Sequence, residues 1–433
     1  MTTTPPAVDP PGLHGARLPR WALPRDWPTH DSRPCLADVR WTDGCVTQVL
    51  PSAEARATDW QLQGAPVLPG LVEAHTHIDK AFTRPRLGAL QPGLLAAIQT
   101  MIVDRQGWTE ADVRARATRA LQWASQAGVV HLRTHCDWWE PQAAPLAWGV
   151  LGELAQAWRD RVVVQRVSLM NLQMFAERDA ARRLARAVAR GGTGACLGGF
   201  VHSTNWSERA LRHLLEAAAE HALDVDLHCD EELNPQARGL ATTARLVREI
   251  GYAGRLVAGH ACALASQDDA LALATLDAVA AASITLVCLP TTNLLLQDAR
   301  TGRTPRQRGL TLVKEARARG IPVLISSDNV QDAFCPVGSF DPVEALAVGV
   351  LAAQLDEPFD VWSESVCRAD WLGGCSATPL RAGSAADLVI FSAADVHGWP
   401  ARAQSRVVVR AGRRLGGEVP GAWLAAPMKE NCA

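Results

Sequence analysis

Lysine is nearly missing from this chain of 433 residues: only Lys80, Lys314 and Lys429 occur among 43 basic residues. Net charge is missing as well, since 43 basic side chains face 45 acidic ones for a formal −2. Nucleic acids and anionic membranes are bound through a basic excess, so neither is expected as a partner. No apolar run reaches the roughly 18 residues of a spanning helix. The opening MTTTPPAVDPPG has neither a charged start nor an apolar run behind it, so it does not read as a secretory signal. The 11 cysteines contain no CxxC pair. Cys136, Cys196, Cys229 and Cys288 sit in apolar runs, where a buried reduced thiol is expected rather than a disulfide framework. These absences together point to a cytoplasmic protein. What is present, 48% hydrophobic and 20% charged residues, fits a folded globular chain and excludes a disordered one.

Residues 1–30 are rich in proline and lack periodicity, which predicts an irregular or frayed N-terminal arm. LADVRWTDGCVTQVL, residues 36–50, places two short apolar runs around Asp43-Gly44, a hairpin signal. DLVIF at 387–391 and RVVVR at 406–410 read as strands, the second followed by the turn-prone Ala411-Gly412. Strands at both ends predict one small β domain, with residues 1–66 and 381–433 contributing and the central 67–380 inserted between them.

The centre has a rhythm. Strand-like runs start near His131, Val162, Gly194, Asp224, Arg255, Ile284 and Pro322, at offsets of 31, 32, 30, 31, 29 and 38 residues. A (β/α)8 barrel of about 250 residues spends about 31 per unit. An eighth run, VLPGLVEAHTH at 67–77, precedes them by about two units, leaving an extra segment near 81–108 to cover the barrel mouth. Thr109 with Asp112 resembles a capping box, and Val113, Ala117, Ala120, Leu121 and Ala124 follow at helical spacing.

Barrel chemistry gathers at the C-terminal ends of strands. The first strand ends in His75-Thr76-His77, and alternate residues share a face, so both imidazoles can address one centre. The fifth ends in His228-Cys229-Asp230-Glu231, the sixth in Gly259-His260 and the eighth in Ser327-Asp328-Asn329. Imidazoles and a carboxylate converging on a barrel mouth make a catalytic divalent-metal site with room for water. His-x-His alone is a weak signal, and a lone histidine is more often a satisfied polar residue than a ligand. His135, His202 and His221 are read in that bland way. Four ligand-type clusters at the ends of four evenly spaced strands are hard to obtain by chance.

In order along the chain, PGLVEAHTHIDKAF, LHCDEELNPQARG, GHACAL and SSDNVQDAFCPVG resemble the amidohydrolase superfamily, in its cytosine deaminase-like branch. The resemblance spans residues 65–410 and implies a metal-dependent α/β fold, a (β/α)8 TIM barrel with a small β-sandwich built from both chain ends. It implies His75, His77, His228 and Asp328 as metal ligands, Glu231 as proton shuttle and His260 as the residue that steers the attacking water. Asp328 is then placed to take the water's proton, and Glu231 to pass one to a ring nitrogen or the leaving amine. The bland reading of Glu231 is a surface acid beside Glu232. Binuclear members of the superfamily commonly carry a carboxylated lysine ending the fourth strand. Here that strand reads GACLGGFVHSTN, so one divalent ion is expected, Zn2+ or Fe2+, with Cys196 read as a core cysteine.

The implied substrate is a small heterocycle. Cytosine deaminases usually carry a second aspartate after the eighth strand, where this chain has Asn329, and a glutamine after the third, where it has Asn171 with Gln173 nearby. An amide donates as well as accepts, so the ring edge that is read should differ from that of cytosine. SDNVQDAFCPVG is similar to the N-isopropylammelide hydrolases of the same branch, yet those lack the HxDE acid kept here in His228–Glu231. Phe334, Trp138 and Trp139 are candidate ring-stacking residues, or else they pack the barrel rim. Lys80 either pairs with Asp79 or reaches the pocket. The leading expectation is hydrolytic deamination of a cyclic amidine or an amino-substituted pyrimidine, pterin, purine or triazine, releasing ammonia. The alternatives are hydrolysis of a substituted amine on a triazine-like ring or of a cyclic amide and, more remotely, a non-catalytic barrel used for binding. A nucleic-acid-editing deaminase is weaker still, since neither a basic charge balance nor the HxE…PCxxC pattern is present. A homo-oligomer is an expectation from family analogy alone.

Overall fold

The computed structural model describes residues 10–373, 380–392 and 394–415, so the C-terminal tail and Lys429 lie outside the described residues. Eight parallel strands stand side by side in chain order: Leu71–Thr76, Val129–Trp138, Val163–Met170, Ala195–Val201, Val225–Cys229, Leu256–His260, Thr285–Cys288 and Val323–Ile325. Each of the seven starts read from the sequence lies within two residues of an observed strand. The strands are buried along nearly their whole length, as parallel strands covered on both faces must be. Helices occupy the crossovers. The helix Glu110–Ala127 begins where expected, with the Thr109 side chain accepting from the Asp112 N–H, and it buries Val113, Ala117, Ala120, Leu121 and Ala124.

The ring closes between its first and eighth strands through the Thr76–Asp328 bridge. Thr76 Oγ1 donates to the Asp328 carbonyl at 2.7 Å, and the Asp328 N–H donates to the His75 carbonyl at 3.0 Å. Glu73, on the first strand, accepts from the Ser326 hydroxyl and from both the N–H and hydroxyl of Ser327. These bonds fix the two strand ends that carry His75, His77 and Asp328.

Both chain ends build the β-sandwich. One sheet runs Cys45–Pro51, Ala37–Thr42, Gly12–Ala16, Trp60–Gln61, and the other Arg413–Arg414, Arg406–Arg410, Leu388–Phe391, Val67–Pro69. Leu13, Val39 and Trp41 of the first sheet share a core with Val67, Leu388, Ile390 and Val407 of the second. Asp43 and Gly44, at φ of 50° and 77°, make the expected hairpin turn.

Two expectations need correction. The N-terminal arm is not irregular throughout, because Gly12–Ala16 is a strand pairing with Ala37–Thr42 and Trp60–Gln61. Two glycines and a bulge between Leu13 and Ala16 erase the alternation that would have revealed it. The run 67–77 is two strands, since Val67–Pro69 joins the sandwich and Leu71–Thr76 the barrel. They part at Gly70, where a Cβ would come within 2.5 Å of Val130.

The extra segment does reach the barrel mouth. Its helix Leu94–Asp104 packs Ala97 and Met101 against Ala333, with Phe334 alongside, on the loop after the eighth strand.

Candidate active site

His75 and His77 leave the first strand on the same side, His228 leaves the fifth, and Asp328 follows the eighth. His228 Nε2 lies 3.2 Å from His75 Nε2 and 3.2 Å from His77 Nε2. Asp328 Oδ1 lies 3.2 Å from His77 Nε2 and 3.6 Å from His75 Nε2. All four side chains are buried. Both Asp328 carboxylate oxygens, and Nδ1 of each of the three histidines, have no hydrogen-bond partner. Burial pushes the basicity of all three imidazoles well below the ordinary range; neighbouring imidazoles add to this at His75 and His228, while at His77 Lys80 lowers it further and Asp137 opposes. Imidazole nitrogens and a carboxylate oxygen crowded within 3.2–3.6 Å of one another in a buried site are costly unless a cation sits among them. The donor set therefore fits a divalent metal.

His260 stands beside this cluster, its ring 4.8 Å from that of His228. Its Nδ1 accepts from Asn293 Nδ2 at 3.0 Å, which leaves Nε2 as the protonated nitrogen. Burial lowers the His260 pKa to about 4, so the ring is neutral at neutral pH. Glu231 Oε1 lies 3.4 Å from the same Nδ1. Burial first, and the Asp328 charge second, raise the Glu231 carboxyl well above the carboxylate range. Burial thus favours the protonated form of an acid beside the ligand cluster, as proton delivery requires. His260 and Asp328 hold positive φ, 69° and 63°, which turns their side chains inward at the strand ends. Gly259 makes room for His75: a Cβ there would lie 2.9 Å from His75 Cε1.

Three residues matter more here than the sequence suggested. His135 is not a satisfied polar residue, because neither ring nitrogen has a hydrogen-bond partner. Its ring packs 3.9 Å from that of His75, and its Nε2 lies 3.7 Å from Asp226 Oδ1. Asp226 is held from its other oxygen by Arg133 Nη1 at 2.7 Å, and Arg133 also donates to Gln165 and to the Leu372 carbonyl. The signal was available: in HLRTHCDW the polar His131, Arg133, His135 and Asp137 alternate on one face. Asp137 is the second addition, pairing with Lys80 at 2.7 Å. Asn293, on a helix after the seventh strand, carried no such pattern. His202 and His221 play local parts, His202 as a cap accepting from the Thr204 N–H and His221 at the end of Glu208–Glu220.

The proposed substrate contacts divide. Asn329 is buried, with its amide donating to Asp332 Oδ2 at 2.6 Å. Phe334 lies at the mouth, its ring 5.1 Å from the Lys80 ammonium. Asn171 is exposed, and its side chain caps the turn Leu172–Phe175 by accepting from the Gln173 N–H. Gln173 bonds the Asn205 carbonyl. Trp138 packs in the core against Trp148, with its N–H on the Glu140 carbonyl, and Arg105 covers Trp139. Cys196 is buried and free, like Cys136, Cys229 and Cys288.

A parallel barrel with a histidine–aspartate cluster at the C-terminal ends of its strands is the architecture of a hydrolase built around a metal. The chain belongs to the amidohydrolase family, whose model matches residues 61–209 and 200–415. That family is metal-dependent, and the protein is accordingly a hydrolase of C–N bonds. Among its relatives is a pterin deaminase from Rhizobium rhizogenes, 35% identical over 390 residues, which are 89% of each chain. The crystal structure of 5-methylcytosine deaminase from Klebsiella pneumoniae superposes with a TM-score of 0.79 at 24% identity, covering 94% of this chain and 98% of the other. That of N-isopropylammelide isopropylaminohydrolase from Burkholderia multivorans superposes at 0.74 and 22% identity, covering 95% and 99%. Among the described residues no helix is long and apolar enough to cross a membrane.

Proposed function

We propose that this protein deaminates an amino-substituted N-heterocycle of the pterin type, releasing ammonia. The observation that carries the reading is the buried Glu231 carboxyl held at 3.4 Å from His260, beside the converging His75, His77, His228 and Asp328. The pterin deaminase relative supports the choice of ring. His75, His77, His228 and Asp328 would hold one divalent ion, Zn2+ or Fe2+, and the fourth strand, without a lysine, supports a single one. Such an ion supplies Lewis acidity, bringing the pKa of water toward about 7. Asp328, whose carboxylate oxygens are free of hydrogen bonds, accepts the proton of the attacking water. His260 presents its Nε2–H to the same place and orients that water. Glu231, whose protonated form burial favours, gives its proton to the ring nitrogen beside the amino-bearing carbon, then carries the next one to the departing amine.

The test is ammonia release from a panel of amino-pterins, -pyrimidines, -purines and -triazines by the zinc- or iron-loaded enzyme, with Glu231→Gln as control. Release from a pterin that the control loses is expected. No release from any ring would overturn the reading. Asn329, in place of a second aspartate, favours one other outcome: a substituted amine as leaving group on a triazine-type ring, which product analysis separates from free ammonia.

A further inference from the structure

A buried ion pair stands at the barrel mouth with no part yet in the chemistry. Lys80 is the only buried lysine among the described residues. Its ammonium meets Asp137 Oδ1 at 2.7 Å, near the end of the second strand, and faces the Phe334 ring. The pair is held from behind. Asp79 Oδ2 accepts the Asp137 N–H at 3.0 Å, and Arg116 bonds the Asp79 carbonyl. The opposite wall is braced too, since Asp332 accepts from the Phe334 N–H at 2.8 Å and from the Asn329 amide at 2.6 Å. Burial alone would lower the Lys80 pKa, but Asp137 and Asp79 overcome it and push it up to about 12, so the lysine stays a cation.

A buried ion pair is a poor stabiliser, since apolar residues of the same volume commonly do as well. At the mouth of a site, a better reason is recognition. Lys80 keeps donors beyond the one given to Asp137 Oδ1, and among the described residues no hydrogen bond to Asp137 Oδ2 is seen. The pair therefore offers a cationic donor beside an anionic acceptor. The amino-bearing carbon of a substrate must face Glu231 and the ligand cluster, so a neighbouring edge of the ring is left for the pair.

We propose that Lys80 and Asp137 set substrate specificity by reading a lactam edge, Asp137 accepting the ring N–H and Lys80 donating to the adjacent carbonyl oxygen. This rests on the deaminase reading and names the second edge it requires: a pterin or a guanine-like ring qualifies, while a ring with an amino group in place of that carbonyl does not.

The experiment compares pterin, its N3-methyl derivative and 2,4-diaminopteridine with the metal-loaded wild type and with Lys80→Met. In the wild type, N3-methylation is expected to lower kcat/KM about 100-fold, the scale of leaving a buried acceptor such as Asp137 unpaired. In Lys80→Met, the preference for pterin over the diamino ring should shrink at least about tenfold. Methylation tolerated within tenfold would overturn the proposal, and so would equal losses on both rings in the variant, which a purely structural pair would give. Should Lys80→Met fail to fold, the wild-type comparison decides. A wild type that releases ammonia from no ring sinks the deaminase reading itself, an outcome distinct from either of these.

Discussion

Gly259→Ala puts the metal cluster under direct load. Gly259 does not lie in the left-handed region, so the substitution tests space alone. The new Cβ would stand 2.9 Å from His75 Cε1 and 3.0 Å from His75 Nδ1, where ordinary contact begins at 3.4 Å. The imidazole must retreat by about half an ångström, the gap between those distances. It has nowhere to go, because the His135 ring lies 3.9 Å away and the His75 N–H is tied to Ser326 Oγ at 2.9 Å. Overpacking of this kind costs about 1–3 kcal/mol. Metal ligands tolerate displacements of about 0.2 Å, so the shift exceeds what coordination absorbs. Metal affinity should fall about 10- to 100-fold, and turnover about 100-fold. A competition titration against a chromophoric chelator reads the first, ammonia release the second, and circular dichroism confirms that the variant is folded. A folded variant with wild-type metal affinity and wild-type turnover would refute the claim that this glycine exists to seat His75.

Other perturbations separate the parts of the site. Glu231→Gln should lower turnover about 10²- to 10⁴-fold while elemental analysis finds the metal content unchanged; lost metal would make Glu231 a ligand instead. Arg133→Met strands the Asp226 carboxylate in the barrel interior and should cost about 3–5 kcal/mol in urea unfolding, whereas a loss under 1 kcal/mol would mean that water reaches Asp226. Chelation should abolish turnover and added zinc or ferrous iron restore it, and activity that survives a metal-free preparation would contradict the ligand assignment.

How much of this was legible follows from what each feature depends on. Barrel strands announce themselves because a strand buried on both faces carries a mostly apolar run, and 29- to 38-residue spacing is set by the length of a crossover. The convergence of His75, His77, His228 and Asp328 was readable because strand ends face one mouth, so ligand types at three such ends meet whatever the side chains around them do. Asn171 and Trp138 have other partners for a shared reason: position near a strand end says where a residue is, not which hydrogen bond claims it. Asn171 is taken by the Gln173 N–H, and Trp138 by the Glu140 carbonyl and the Trp148 ring. His135 is the opposite case. Judged as a lone histidine it was bland, but the alternation His131, Arg133, His135, Asp137 is a polar stripe on a barrel strand, and such a stripe must face something polar. Its last two members, His135 and Asp137, meet the ligand cluster and the Lys80 ammonium, so the second strand links the residues we propose as metal ligands to those we assign to the choice of ring.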